Sequence, residues 1–338
     1  MRVKYKTGVE VNLRLRFAFF SLSLLAILTV FLLVQDFVIT QESMARPNIE
    51  TRKKLILNGL SKEGETFQDS RPLISPDGKQ LFFGRRNHPN NIGGESDFQD
   101  IWMASLDSTG NFEKIRSLGT IINNSKPNGI CSISPNGSEI ILTNEYGGAK
   151  QSPISISTKT KGIWSKPKPM FIEDYYNKGR YEDFYMSFEQ KVLLLAVERR
   201  DGIGDQDIYV CLPDENGNWK KPINLGTAIN TKTAEFAPYL GSDGKTLFFA
   251  SYREGGLGES DIYVTTRMDD SWTNWSAPKN LGPTINTPEE ESYFSITSDF
   301  ESIFVESYTK GNIERDIFQV KLPLEFKPQK ENLMVSNQ

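Results

Sequence analysis

The stretch Leu240–Val264, LGSDGKTLFFASYREGGLGESDIYV, decides the fold because the chain writes it more than once. A near copy, ISPDGKQLFFGRRNHPNNIGGESDFQDIWMA, begins at Ile74, and another, ITSDFESIFVESYTKGNIERDIFQV, begins at Ile296. Each copy has a polar turn, a short apolar run, a loop and an Asp-Ile-aromatic element. Anchored on the turn, the copies fall at Asp77, Asn136, Glu189, Asp243 and Asp299, a spacing of roughly 55 residues that marks a repeat architecture. The second anchor recurs as Asp100, Asp207, Asp261 and Asp316; the second unit has lost it and reads QSPISIST.

Each unit resolves into four strands. Before the turn, alternate residues are apolar, a period-two pattern. After it come LFF, IIL, LLL, LFF and IFV, uninterrupted runs that suit strands buried on both faces. The Asp-Ile-aromatic element is the third strand. The fourth follows Trp164, Trp219 and Trp275, where Pro167, Pro222 and Pro278 forbid a ladder donor and so mark an outer edge. Four-stranded sheets of this kind, repeated radially, make a β-propeller. The fifth unit lacks its own fourth strand, while KKLILNGL stands alone ahead of the first. The expectation is an all-β, five-bladed propeller over residues 52–325, with Leu55–Leu60 as the outer strand that closes the ring, and a tail over 326–338.

Those turns and strands, ISPDGK, ISPNGS and GSDGK with GGLGESDIYV and WSAPKNLG, resemble the WD40-like repeats of TolB-type propellers found in bacterial envelope proteins. The resemblance covers all five units, with the second and third diverged. It implies a periplasmic or surface propeller that binds other macromolecules. In that group a peptidoglycan-binding domain often follows; the end at LPLEFKPQKENLMVSNQ leads us to expect none here.

The N-terminus is of different material. Arg2, Lys4, Lys6, Arg14 and Arg16 precede an uncharged apolar run, residues 17–34. At about 1.5 Å per helical residue such a run just crosses a bilayer core. The flanking charges predict residues 1–16 in the cytoplasm, a transmembrane helix over 17–34, a linker over 35–51 and the propeller outside the inner membrane. A cleaved secretory signal is the alternative, and it too exports the body. The net charge of −4 carries no concentrated basic footprint, so nucleic acid is not expected as a partner. Cys131 and Cys211 lie in apolar strands and read as buried small hydrophobes.

Strand direction assigns faces. The Asp-Gly turns share one face of the disc; the opposite face collects the start of strand one, the end of strand two and the start of strand three. Eight residues before each turn stand Asp69, Asn128, Tyr181, Glu235 and Glu291, and strand two ends on Arg85, Arg199 and Arg253. Glu182 and Asp183 break the repeat, as does the long loop between Arg85 and Asp100, and insertions in an array favour the face that meets a partner. The candidate binding set is therefore Asp69, Tyr181, Glu182, Asp183, Glu235, Glu291, Arg85, Arg199 and Arg253. The Asp of strand three, present in four units, is expected to bind the amides of its own loop.

No catalytic residues, metal site or cofactor is expected. The single histidine, His88, has no nucleophile motif beside it, and no His/Cys cluster exists. The leading expectation is a binding module for an envelope protein or glycan. The alternatives are a glycoside hydrolase using channel carboxylates and a structural spacer.

Overall fold

The computed structural model describes residues 52–55, 67–143, 146, 152–308 and 315–328. The expected transmembrane segment 17–34 and its flanks lie outside them. Among the described residues no helix is long and apolar enough to cross a membrane.

The described residues form five small antiparallel sheets, as the repeat requires. Blade I holds β2 (Asp69–Ile74), β3 (Gln80–Arg85), β4 (Asp100–Leu106) and β5 (Phe112–Ser117). Blade II holds β6 (Gly129–Ile133), β7 (Glu139–Thr143), β8 (Ile154–Thr160) and an outer edge in two pieces, β9 (Ile163–Trp164) and β10 (Lys168–Met170). Blade III is β11 (Asp183–Ser187), β12 (Val192–Val197), β13 (Asp207–Cys211) and β14 (Ile223–Asn224). Blade IV is β15 (Glu235–Leu240), β16 (Thr246–Ser251), β17 (Asp261–Thr266) and β18 (Lys279–Asn280). Blade V takes β19 (Glu291–Ile296), β20 (Ser302–Tyr308) and β21 (Arg315–Lys321) from the end of the chain, and β1 (Arg52–Lys54) from its beginning. The innermost strands contact one another in sequence, β2 to β6, β6 to β11, β11 to β15, β15 to β19 and β19 back to β2, so the ring is closed.

A sheet of four short strands cannot bury its own two faces, and packing against neighbours solves this. Five apolar clusters result, one at each blade interface. Between III and IV, for example, Leu194 and Val210 meet Leu247 and Phe249. Between V and I, Phe304 and Ile317 meet Leu81 and Trp102. Strands β12 and β16 are buried along their whole length, as the unbroken apolar runs foretell. Each fully buried Leu, Ile or Phe contributes roughly 1.5–3 kcal/mol.

The closing strand is N-terminal, but its register corrects the expectation of Leu55–Leu60. Arg52, Lys53 and Lys54 pair with Val320, Gln319 and Phe318. Leu55 then donates its N–H to the Ile317 carbonyl at 2.9 Å and buries its side chain among Ile74, Leu81, Phe304 and Ile317. Leu118, Leu225 and Leu281 make the same bond to Ile101, Ile208 and Ile262. The first leucine of KKLILNGL, not the last, is thus the counterpart of the Leu in INLG and KNLG. The next residues, 56–60, lie outside the described set.

Repeated polar residues tie the scaffold locally. Each Asp or Asn of the hairpin turn accepts the N–H two residues on, as Asp77 does from Lys79, Asn136 from Ser138, Asp243 from Lys245 and Asp299 from Glu301. The positive φ that Gly78 supplies in blade I (69°) is taken in blade V by Phe300 (57°). An asparagine in GTIIN, GTAIN and GPTIN, overlooked as a repeat in the sequence, staples the outer connection to strand three. Asn123, Asn230 and Asn286 each accept an N–H from, and donate to the carbonyl of, Ile101, Ile208 and Ile262.

Candidate functional site

The inner strands leave a channel along the axis, and its middle is crossed. Arg71, on β2 of blade I, donates to Asp183 Oδ1 of blade III at 2.8 Å and to the Tyr293 hydroxyl of blade V, over whose ring its guanidinium lies at 3.7 Å. Blades I and III are not neighbours, so this ion pair bridges the ring. The Arg71 N–H also donates to Glu306 Oε2, whose other oxygen accepts from Arg315, and Arg315 in turn grips Glu290. The charges thus alternate as Asp183–Arg71–Glu306–Arg315–Glu290, and Arg71, Asp183 and Tyr293 line a void of about 50 Å³ at the waist. Burial opposes the charge on Arg71, yet Tyr293, Asp183 and Glu306 outweigh it and raise its pKa.

A bulge puts Arg71 there. The β2–β3 register slips between Ser70 and Leu73, and Arg71 adopts φ 51°. Similar slips occur in β6, β15 and β19, with Ala237 at φ 46° in β15. Blade III alone pairs without a slip, Asp183 opposite Ala196 through Ser187 opposite Val192. Lacking the extra bulge residue between its start and the turn, its first strand brings Glu182 to the level of Asp69, Glu235 and Glu291. This corrects the placement of Tyr181 in that set.

The waist divides the channel into a funnel of about 340 Å³ on the hairpin face and a larger cavity of about 860 Å³ on the opposite face. We call the latter the mouth. All five blades line it, through Arg71 and Phe98 of I, Asn128 of II, Tyr181 of III, Tyr252 of IV and Arg315 of V. Tyr181 is 61% exposed and Phe98 51%. Arg180 lies over the Tyr181 ring at 5.4 Å, and Arg86 over Phe98 at 4.7 Å. Both arginines also line the mouth.

Of the nine candidate residues, the structure brings Tyr181 to the mouth and Asp183 to the waist. The other seven face neither cavity. Glu235 and Glu291 are fully buried and hold their own approach loops. Glu235 accepts the Thr231 N–H and hydroxyl and the Ser251 hydroxyl; Glu291 accepts the same from Thr287 and Ser307, with Arg52 at 3.4 Å. Burial nevertheless pushes the Glu291 carboxyl up to about 7, against the pull of Arg52, and raises that of Glu235. Asp69 is chelated by Arg85 through Nε and Nη2, both at 2.8 Å. Glu182 accepts from the Tyr175 hydroxyl. Arg199 is held by Asp201 and Asp174, and Arg253 by the Ile229 carbonyl and Ser251. The expectation that these seven form a recognition surface is corrected by this commitment to internal partners.

Three of the four strand-three aspartates bind their own loop amides as expected; the fourth, Asp316, pairs with Lys54 at 2.6 Å. Asp100 accepts the Ile92 N–H, Asp207 those of Ile203 and Gly204, and Asp261 that of Leu257. The loops are glycine-rich because the carboxylate sits against them. A Cβ on Gly256 would lie 2.2 Å from Asp261 Oδ2, and one on Gly258 2.2 Å from the Thr287 carbonyl. The long loop of blade I is folded around His88, which is buried between Phe67 and Trp102, with Trp102 Nε1 donating to Asn91. What that insertion delivers to the mouth is Phe98 and Arg86. Cys131 and Cys211 are free thiols on different blades, and burial pushes both up to about 12. Among the described residues no group of three metal-ligating side chains occurs.

No family model and no curated protein matches the chain. Among solved structures it is similar to a GH43B protein of the Bacteroides ovatus xyloglucan locus, at 14% identity over 80% of this chain and 54% of that one, with a TM-score of 0.47. An α-L-arabinofuranosidase from Lactobacillus brevis matches at 13% identity over 75% and 90%, TM-score 0.43, and a prolyl endopeptidase at 14% over 78% and 42%, TM-score 0.38. The chain thus spans about half the length of the first and the last of these. Likeness at this level says nothing of activity.

Proposed function

We propose that this chain is a binding module, a WD40-like propeller of the TolB-type group that its repeats resemble, held outside the inner membrane by residues 17–34. Its ligand, an envelope protein or glycan, enters the mouth. One observation carries the reading: the cavity is rimmed by exposed aromatic and cationic side chains that break the repeat, while the inner carboxylates are committed to the scaffold.

A glycoside hydrolase needs two carboxyls facing a sugar, one to give a proton and one to attack or activate water. Here Asp183 is paired with Arg71, Glu290 with Arg315 and Glu198 with Lys178. Glu235 and Glu291 are enclosed behind their own loops. That arrangement supports recognition over hydrolysis.

The test is a panel of envelope peptides and glycans offered to the full-length chain, scored for retention and, by chromatography, for cleavage. Retention without cleavage, lost in Tyr181→Ala, is expected. Cleavage products that vanish in a folded Glu290→Gln or Asp205→Asn protein would overturn the reading in favour of the enzyme.

A further inference from the structure

Resting on the mouth as the binding site, we propose that its ligand is an acidic oligosaccharide, with carboxylates received by Arg86 and Arg180. Among the mouth's cations these two stand apart. Arg71 and Arg315 already neutralise Asp183, Glu306 and Glu290. Arg86 and Arg180 have no carboxylate partner among the described residues. Arg86 is half-buried, its enclosed Nε has no hydrogen-bond acceptor, and the rest of its guanidinium lines the mouth.

Each guanidinium lies over an aromatic ring, a contact that holds its plane and leaves the N–H edge free for a planar carboxylate. The two arginines come from different blades, β3's end in I and the approach to β11 in III. A ligand that uses both carries acid groups on more than one unit. The mouth's own acids do not cancel this. Glu198 and Glu290 are paired, and Asp205 is exposed to solvent.

Exposed rings on three blades, Phe98, Tyr181 and Tyr252, offer flat faces to sugar rings around one cavity. An extended acidic peptide would instead add to a free strand edge. The inner edges are unsuited to that, because bulges in β2, β6, β15 and β19 interrupt their ladders. The cavity of about 860 Å³ is of the size that encloses a small ligand rather than a folded partner.

The experiment titrates end-labelled trigalacturonate into the full-length chain in mild detergent and follows fluorescence anisotropy. Unlabelled trigalacturonate, its methyl ester and triglutamate serve as competitors. Arg86→Gln and Arg180→Gln are each expected to weaken binding by about tenfold, with thermal unfolding near wild type for the exposed Arg180, and the ester to compete far less than the acid. Equal competition by ester and acid, both lost in Tyr181→Ala, would sink the acidic ligand while leaving the mouth as the site. Preference for triglutamate would replace the sugar by a peptide and overturn the inference. Absence of trigalacturonate binding overturns it as well, and binding indifferent to all three variants would remove the mouth too.

Discussion

Glu235 and Asp183 begin equivalent strands in adjacent blades, and they do opposite things. Glu235 sits where the repeat puts it, fully enclosed, with its oxygens filled by Thr231 and Ser251 from its own blade and approach loop. Asp183 sits where the repeat breaks, because β11 lacks the bulge, and it reaches across the axis to Arg71. Position in the repeat thus separates two jobs. Residues that recur satisfy their own blade, and residues that depart from the pattern meet at the axis and the mouth.

That contrast breaks or sharpens under substitution. The largest effect is expected at the axis. Arg71→Met leaves Asp183 buried without its cation, while Glu306 keeps Arg315, and should cost about 3–5 kcal/mol in denaturant unfolding. A cost near zero would mean that the cross-ring contact is incidental. Next come the loops. Gly258→Ala drives a Cβ onto the Thr287 carbonyl and should cost about 2–3 kcal/mol, whereas Gly255→Ala, with nothing within 4 Å, should cost about 1 kcal/mol from its positive φ alone. Equal losses would contradict the close fit between the loop and the next blade.

A third effect depends on pH. Burial pushes Asp100 up to about 7, against the Ile92 N–H, with Asp97 adding to the rise. Its unfolded carboxyl titrates near its ordinary value of 3.8. A raised folded pKa makes this group most favourable below 3.8, with that contribution lost as pH climbs to about 7. Asp100→Asn, which turns an amide toward Asp97, should therefore be more stable than wild type at pH 8 by on the order of 2 kcal/mol and flatten the slope between pH 4 and 7. An unchanged slope would place the titration elsewhere. The smallest effect on stability is expected at the rim: Tyr181→Ala should move unfolding by less than about 0.5 kcal/mol while removing ligand binding.

Much of this scaffold was legible in the sequence because each blade repeats the same local solution. Turn aspartates, buried second strands, proline-marked edges and self-bonding strand-three aspartates all follow from short-range spacing. The axis was not legible for the same reason. Whether a strand carries a bulge depends on its partner's register, so counting eight residues back from the turn reached Tyr181 when the structure has Glu182 at that level. The Arg71–Asp183 pair joins residues 71 and 183 through a ring that had to close first. The closing strand showed the same limit: KKLILNGL offers three leucines, and only the bond from Leu55 to Ile317 selects among them. Asn123, Asn230 and Asn286 could have been found, since Gly-x-x-Ile-Asn recurs three times.

The waist can be tested directly by a double-mutant cycle on Arg71→Met and Asp183→Leu, read by chemical unfolding. Strong coupling, with the double variant recovering about 2 kcal/mol or more of what the single changes lose, is what a cation locked across non-adjacent blades requires. Additive losses would mean that the two side chains do not meet and that no ion pair crosses the channel at its waist.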